Sequence, residues 1–486
     1  MKKLFCIICI CCVCTFSAFA ADDAAHKGTK GLKYYFNQEW KTAVVEGRGS
    51  ARGGEIVIPE KVLYNGVDYK VVCVSDFAFI GDVKLKSIVF PKGLSGIGVQ
   101  AFDSCTNLIQ CVLPDSLQYI LGGAFHNCLN LKSITIPDSL AFTHRGVFAG
   151  TGIKQPLYND KCFMYMPPEF QGEFEIKEGT INISGGAFED CRYLKAIKIP
   201  ESVKFIGDGA FANCRSLREV VIPNDSIRRM GMVIFMDCYA LMKVKLPEGL
   251  EEIPTGTFID CGNLQEVNIP QSVSHIGEIS FGGCKQLRQI TLPEIVKTIG
   301  DWAFSQCYNL KQMPLPNSVE FVGEGAFSEC NQFTEPVFNN TIFAHMPASF
   351  KGVYKIKDGI KRIAPFAFVD CEGLTSLTIP NSVIEVGMMS CANGSLTKPV
   401  YNKTVFAFLP AEYKGQYIIP DGIKTIGAGA FASCKLLTSV VIPESVTKID
   451  SKAFDMCYSL RSVTIPRSVT DLAEDAFPSG CRIIRE

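Results

Sequence analysis

The sequence has almost no net charge and few side chains that bind metals. Its 486 residues include 48 basic and 49 acidic side chains, a net charge of −1, and no acidic or basic tail. This balance argues against a nucleic-acid binder that works through bulk charge. Beyond residue 20 there is no C-x-x-C pair, and none of the five histidines is paired at ligand spacing, so no metal site is predicted.

Motifs of common enzymes are also missing. The sequence contains no G-x-S-x-G, H-E-x-x-H or Walker sequence. The stretch GIGVQA from Gly96 imitates part of a dinucleotide fingerprint, but it coincides with a repeated bend. We therefore expect no enzyme, no catalytic residue and no cofactor. A glycan-active enzyme with dispersed acidic residues is the less favoured alternative.

A long apolar run occurs at the N-terminus and nowhere later in the chain. Two lysines precede an apolar stretch that ends in A-F-A at residues 18–20, which is typical of a signal peptide cleaved after Ala20. An uncleaved anchor and a lipoprotein with Cys14 as acceptor are the alternatives. No later run is long enough to span a bilayer. We expect an exported protein that is periplasmic, at the cell surface or secreted.

One repeated unit dominates the rest of the sequence. Within blocks a phenylalanine recurs every 23 residues, with one step of 24 from Phe211 to Phe235. A full unit reads AF-x-x-C-x-x-L-x-x-V-x-IP-x-S-V-x-x-IG. A fixed period of this length predicts a repeat solenoid, in which each unit buries its apolar face against its neighbours.

The pattern inside one unit predicts its local structure. Alternating apolar residues predict a short strand that ends at the proline, since proline cannot donate to a strand ladder. The glycine that recurs as Gly207, Gly277 and Gly300 is expected to occupy a turn with positive φ. The AF-x-x-C segment is too short for a full helix and is expected to form a single turn. Stacked units then form a parallel sheet with strands about 4.8 Å apart.

Most of the cysteines belong to this repeat. Five of the 22 lie in the signal, and twelve of the others follow a repeat phenylalanine by three residues. Stacking puts them in the core, where free cysteine packs as a small hydrophobe. Parallel Cα–Cβ vectors suit disulfides poorly, so we expect a reduced structural ladder. The ladder is represented by Phe102, Cys105, Phe125, Cys128, Phe211, Cys214, Phe258, Cys261, Phe431 and Cys434.

Longer variants and atypical ends complete the expected organisation. The variants start P-x-[YF]-N, and in the third one Cys391 falls at the phenylalanine position. The N-terminal region has turns at Gly53-Gly54 and Asn65-Gly66, which predicts a β-hairpin. The expected segments are a signal peptide at 1–20, a hairpin cap at 21–75, a repeat array at 76–477 with long variants at 149–188, 328–368 and 390–431, and a C-terminal cap at 478–486.

The repeated unit closely resembles the BspA-type leucine-rich repeat family over about residues 32–482. The resemblance implies a right-handed leucine-rich-repeat superhelix with a parallel β-sheet face, and short turns or single helical turns elsewhere. Proteins of this family are often exported by anaerobic host-associated bacteria, and some adhere to host matrix proteins or to other microbes. The resemblance therefore implies an exported binding or adhesion protein that uses its repeat surface to bind protein or glycan partners, with no catalytic residues. A passive structural component of the envelope is the alternative.

Charged residues at outward positions form two stripes of opposite sign. Seven residues after the phenylalanine, seven of the repeat units have a basic residue. Thirteen residues after it stand acidic ones: Asp115, Asp138, Glu201, Glu248, Glu294 and Glu444. The basic stripe is predicted to steer an anionic protein or sulfated glycan, and a merely solvated edge is the alternative. The candidate ligand-binding residues are Lys132, Lys195, Arg218, Arg288 and Lys311.

Overall fold

The computed structural model describes residues 19–20, 28–392 and 395–485. Apart from Phe19 and Ala20, the predicted signal peptide lies outside the described residues. The chain divides into two compact units, Met1–Cys238 and Tyr239–Glu486, and each contains stacked coils. The segment boundaries expected from the sequence stay predictions.

Most coils contain two short strands, one before the repeated proline (the pre-proline strand) and one before the repeated glycine (the pre-glycine strand). The strands of the N-terminal unit are β1 Phe19–Ala20, β2 Lys33–Asn37, β3 Thr42–Gly47, β4 Glu55–Val57, β5 Lys61–Tyr64, β6 Val67–Val74, β7 Ser87–Val89, β8 Gly96–Ile97, β9 Gln110–Val112, β10 Tyr119–Ile120, β11 Ile134–Thr135, β12 Leu157–Tyr158, β13 Cys162–Tyr165, β14 Gln171–Glu175, β15 Asn182–Ile183, β16 Tyr193–Lys198, β17 Phe205–Ile206 and β18 Glu219–Val221.

The C-terminal unit continues the same alternation. Its strands are β19 Lys243–Lys245, β20 Glu252–Ile253, β21 Glu266–Asn268, β22 His275–Ile276, β23 Thr298–Ile299, β24 Phe321–Val322, β25 Val337–Phe338, β26 Ile342–His345, β27 Gly352–Lys355, β28 Arg362–Ile363, β29 Leu374–Thr378, β30 Glu385–Val386, β31 Val400–Tyr401, β32 Val405–Phe408, β33 Gly415–Ile418, β34 Thr425–Ile426, β35 Leu437–Val441, β36 Lys448–Ile449, β37 Ser462–Ile465, β38 Asp471–Leu472 and β39 Arg482–Arg485.

Equivalent strands of neighbouring coils pair in parallel. In the N-terminal unit β4, β7, β9 and β11 form one pre-proline sheet. In the C-terminal unit β20, β22, β23 and β24 form a pre-glycine sheet, in which Ile253, Ile276 and Ile299 are in register. One coil therefore equals one sequence repeat. The predicted repeat solenoid of stacked parallel coils, with the leucine-rich-repeat fold, is confirmed.

The AF-x-x-C segment forms turns, and the described residues contain no helix. The N–H of Cys105 donates to the carbonyl of Phe102 at 3.1 Å, while the N–H of Phe102 donates to the carbonyl of Ala124, one coil further on, at 2.8 Å. A helix would direct these donors along its own axis instead. The AF-x-x-C segments are therefore turns and not single helical turns. The right-handed sense of the superhelix stays a prediction.

Antiparallel strand pairs, including that of β1 with β2, mark the start of the N-terminal unit. Strand β2 pairs with β3, and β5 pairs with β6. Asn65 and Gly66 join β5 to β6 with φ angles of 51° and 76°. A two-residue hairpin turn of type I′ requires positive φ at both of these positions. Gly53 and Gly54 lie between β3 and β4, so they form no hairpin turn. The capping role of this segment stays a prediction.

Glycine recurs at the bend of several coils for a different physical reason from the positive φ that the sequence predicted. Gly277 and Gly300 do not have positive φ. A Cβ atom at Gly277 would instead lie 2.6 Å from the nitrogen of Thr255, and one at Gly300 would lie 2.6 Å from the nitrogen of Glu278. A Cβ at Gly207 of the N-terminal unit would likewise crowd the preceding coil. Glycine is required because consecutive coils approach closely at this bend.

The repeat phenylalanines stack ring on ring inside each unit. The ring of Phe102 lies 5.3 Å from that of Phe79 and 5.2 Å from that of Phe125, with interplanar angles of 7° and 9°. Phe258 and Phe281 stack at 5.2 Å in the C-terminal unit. All ten ladder side chains named from the sequence are 0% exposed. These rings supply a large share of the buried apolar area of each coil.

The ladder cysteines form a contact that the sequence did not reveal. The thiol of Cys128 donates to the carbonyl of Phe102 at 3.1 Å, and the same carbonyl accepts the N–H of Cys105. Other ladder thiols make the same bond to the preceding coil at 3.0–3.2 Å: Cys105, Cys214, Cys238, Cys284, Cys307, Cys330 and Cys457. Each of these cysteines therefore hydrogen-bonds to the preceding coil in addition to packing in the core.

The long variants are held by a buried asparagine. In the third variant the side-chain amide of Asn402 donates to the carbonyls of Pro380 and Val383 at 2.8 and 2.9 Å. Its oxygen accepts the N–H groups of Thr404 and Val405 at 2.9 and 2.8 Å. Asn159 and Asn339 make the equivalent bonds in the other two variants. The asparagine of P-x-[YF]-N therefore satisfies four backbone groups next to the inserted turn. The bonds of the other two asparagines measure 2.7–3.0 Å.

Removing a mid-array ring should destabilise the protein strongly. We predict that Phe258→Ala lowers the free energy of unfolding by about 3–5 kcal/mol, because the stacked ring leaves a cavity. Phe321→Ala is the matched control, since that side chain is 51% exposed. Denaturant-induced unfolding followed by circular dichroism measures both. A loss below about 1 kcal/mol for Phe258→Ala would show that the ring is not core.

The thiols should be reduced and unreactive in the native protein. Burial raises the pKa of Cys105 to about 12, and it also raises the pKa of Cys128 and Cys307. Because the thiolate is the reactive form, native alkylation by iodoacetamide should spare the twelve ladder cysteines. Cys481, which is half-buried, should react first. Mass spectrometry before and after denaturation gives the result, and finding most of the twelve in intrachain disulfides would contradict it.

Candidate binding face

Three of the candidate ligand-binding residues lie in the N-terminal unit. Lys195 is within β16, Arg218 directly precedes β18, and Lys132 stands two residues before β11. All three are exposed, and none forms an ion pair with another described residue. Lys195 and Arg218 occupy the same position of consecutive coils, whose phenylalanine rings stack at 5.2 Å. The arrangement leaves their charges free to meet a partner.

The other two candidates line one groove in the C-terminal unit. Arg288 and Lys311 are exposed at equivalent positions of consecutive coils, and the N–H of Lys311 donates to the carbonyl of Arg288 at 3.2 Å. Gln289 and Gln312, the next residues along, form a parallel bridge. The groove has a volume of about 690 Å³ and is open to solvent. It is lined by Gln265, Glu266, Arg288, Gln289, Lys311, Gln312 and Thr334.

The chemistry of this groove suits oxygen-rich anions. Arg288 supplies a planar set of donors and Lys311 a compact ammonium group, both suited to carboxylate or sulfate oxygens. The amides of Gln289 and Gln312 add neutral donors and acceptors. Glu266 is the one carboxylate among the lining residues, so the groove carries a net positive charge. Sequence reasoning missed the glutamines, although each follows a basic stripe residue directly.

The acidic stripe lies beyond the other end of the pre-proline strands. Glu201 and Glu294 each follow the proline of their coil and are exposed. Six residues separate this position from the basic one, roughly 20 Å of extended chain. Each such coil is therefore positive where the strand begins and negative past its end. An anionic partner meets favourable charge at one edge of this face only.

The described part of the chain contains no group of three or more His, Cys, Asp or Glu side chains placed to hold a metal ion. His345 is buried, and burial lowers its pKa to about 4, so it is neutral near pH 7. Its ring packs against Phe327 and Phe333 with centroids 6.2 and 5.5 Å away, as a core residue. No helix among the described residues is long and apolar enough to cross a membrane.

Several solved structures of bacterial leucine-rich repeat proteins are similar to this chain. A protein from Bacteroides ovatus is 22% identical, with 94% of this chain and 98% of that chain covered and a TM-score of 0.37. A leucine-rich cell surface protein from Faecalibacterium prausnitzii is 22% identical, with coverages of 97% and 96% and a TM-score of 0.31. The pneumococcal vaccine antigen PcpA is 17% identical, with coverages of 97% and 98% and a TM-score of 0.36.

The family comparison covers most of the described repeats. No curated protein matches the chain. The sequence model described as BspA type leucine-rich repeat region matches residues 67–164, 157–288, 252–357, 348–411 and 404–485. Together these matches span both units of the structure. The chain therefore belongs to the BspA-type leucine-rich repeat family.

Proposed function

We propose that this chain is an exported binding protein that holds an anionic protein or a sulfated glycan against its pre-proline strands. The observation that carries the proposal is the open groove in which Arg288 and Lys311 stand side by side, one coil apart. Export is proposed from the N-terminal sequence and suits a family of bacterial surface proteins. Host matrix components and the surfaces of other microbes are the partners we favour.

A repeated cationic pair supports binding over a purely solvated edge. Lys195 and Arg218 form the pair in one unit, and Arg288 with Lys311 forms it in the other. A solvated edge needs only polarity, and mixed charge would serve it equally well. Two like charges one strand apart instead repel each other weakly, and an anionic ligand removes that repulsion. Such attraction acts at a distance and weakens as salt rises.

Charge reversal of the two pairs tests the proposal. We predict that the variant with Lys195, Arg218, Arg288 and Lys311 changed to Glu loses binding to immobilised heparin, a sulfated glycan probe. The wild-type protein should bind at low salt and elute as salt increases. The matched control changes four exposed lysines before pre-glycine strands to Glu, giving the same net charge change elsewhere on the coils. These control positions are Lys204, Lys297, Lys361 and Lys424.

Two outcomes decide against the proposal. If the control variant loses heparin binding as fully as the first variant, net charge alone explains the attraction. If the wild-type protein binds neither heparin nor any component pulled down from host-matrix and bacterial-surface extracts, the passive envelope component becomes the better interpretation. Circular dichroism of both variants should match the wild type, because all eight side chains are exposed.

A further inference from the structure

The third long variant contains an apolar pocket of about 560 Å³. Met389, Leu396, Phe408 and Tyr413 contribute its apolar and aromatic walls, and Glu412 is the one ionised side chain among the lining residues. Leu396 and Phe408 are buried, whereas Glu412 is exposed. The volume is within the range of pockets that bury small ligands or a pair of side chains. All of these residues belong to the C-terminal unit, away from the residues of the groove.

The first long variant shows what normally fills this place. Counted from the first proline of each variant, Phe408 is equivalent to Tyr165, and Cys391 is equivalent to Phe148. The rings of Phe148 and Tyr165 pack edge to face with centroids 6.0 Å apart. The space beside them measures only about 60 Å³. In the third variant no described ring packs against Phe408, because a thiol replaces the phenylalanine.

Two further positions of the third variant also have smaller side chains. Ala411 stands where the first variant has Pro168, and Ala432 stands where it has Glu189. Both alanines line the large pocket, and their counterparts line the small space. Two reductions in side-chain size thus coincide in the lining of the pocket, and the buried Cys391 belongs to the same core cluster as Phe408. Ordinary drift in a packed core would leave a destabilising cavity, so a pocket open to solvent points to an occupant.

The charge at the rim changes in the same comparison. In the first variant the ammonium of Lys154 contacts the carboxylate of Glu169 at 2.5 Å and lowers the pKa of that carboxyl. The equivalent residues in the third variant are Thr397 and Glu412, and both line the pocket. The third variant therefore keeps the carboxylate, as Glu412, and has Thr397 in place of the cation Lys154. Glu412 forms no ion pair with any other described residue.

We propose that this pocket binds a peptide segment of a protein partner that presents an aromatic side chain next to a lysine or arginine. The aromatic ring would stand against Phe408, as Phe148 stands against Tyr165 in the first variant. The cation would meet Glu412, as Lys154 meets Glu169. The chain's own first variant thus defines the chemistry of the occupant. Met389 and Tyr413 supply the adaptable and aromatic surface that such a ring prefers.

Other classes of ligand fit the same residues less well. An anionic ligand would bring a second negative charge next to Glu412, which is unfavourable at contact distance. A purely apolar ligand would cover the carboxylate without pairing it, which costs free energy. A basic segment without an aromatic residue would leave the apolar walls unfilled. The pair of features, ring and cation, is therefore the specific expectation.

Capped dipeptides test this expectation directly. The probes are N-acetyl-Phe-Lys-amide, N-acetyl-Phe-Glu-amide and N-acetyl-Ala-Lys-amide, with binding to the full chain measured by ligand-observed NMR titration. We expect the Phe-Lys probe to bind at least tenfold more tightly than either of the others. Equal binding of the Phe-Glu probe would overturn the role of Glu412. Binding of 2-phenylethylammonium as tight as that of the Phe-Lys probe would overturn the peptide as the source of the ring and cation.

Variants that copy residues of the first long variant complete the test. Thr397→Lys re-creates the Lys154–Glu169 pair, and it should weaken Phe-Lys binding at least tenfold by occupying Glu412. Glu412→Gln should abolish the preference for Phe-Lys over Phe-Glu. Glu169→Gln is the matched control in the other variant and should leave binding unchanged. Unaltered Phe-Lys binding in Thr397→Lys, with an unaltered thermal unfolding midpoint, would contradict the proposal. So would a failure of the wild-type protein to bind the Phe-Lys probe at millimolar concentration.

Discussion

Within each unit the equivalent strands of consecutive regular coils are hydrogen-bonded to each other in parallel and in register. Ile253, Ile276 and Ile299 illustrate the result, since each pairs with its own counterpart one repeat away. Whatever residue occupies a position must therefore tolerate a copy of itself at the spacing of neighbouring strands, about 4.8 Å. Phenylalanine meets this condition by offset stacking, and glycine meets it where two backbones nearly touch. A shift by one residue would lose both arrangements at once.

The same constraint explains why the outward positions suit binding. Basic residues repeated at one position, such as Arg288 and Lys311, are brought side by side by the fold whether or not their charges attract. Solvent reduces their repulsion, so the fold tolerates the pair at low cost. A solenoid thus displays rows of like groups without building a pocket for each. A partner with its own repeating anionic groups can match such a row along its length.

Much of this fold follows from the period alone, and the exceptions have physical causes. The positions of Phe258 and Cys261 in the core follow from spacing, because stacking leaves an inward residue no alternative.

The glycine bend was explained wrongly, because a sequence pattern does not distinguish positive φ from a close approach of two backbones. Asn402 carried a readable signal in the repeated P-x-[YF]-N, but two of its four partners, Pro380 and Val383, lie on the preceding coil, which only the fold brings close. Likewise, exposure of Arg288 was predictable, while its groove with Gln289 and Gln312 was not. The pocket was harder still, since Ala411 and Ala432 belong to different segments of the chain and each change is minor alone.

The bond between a ladder thiol and the carbonyl of the preceding coil bears on how such a protein would be damaged. Conversion of a cysteine such as Cys128 to a sulfenic or sulfinic acid adds oxygen to a fully buried sulfur and alters the bond to Phe102. Oxidants reach that sulfur only after the coil has opened, since the side chain is 0% exposed and the thiolate is scarce. A modified sulfur then obstructs reclosure, briefly for the reversible sulfenic acid and lastingly for the sulfinic acid. The oxidation state of each ladder cysteine is thus a chemical record of which coils have opened during the life of the molecule.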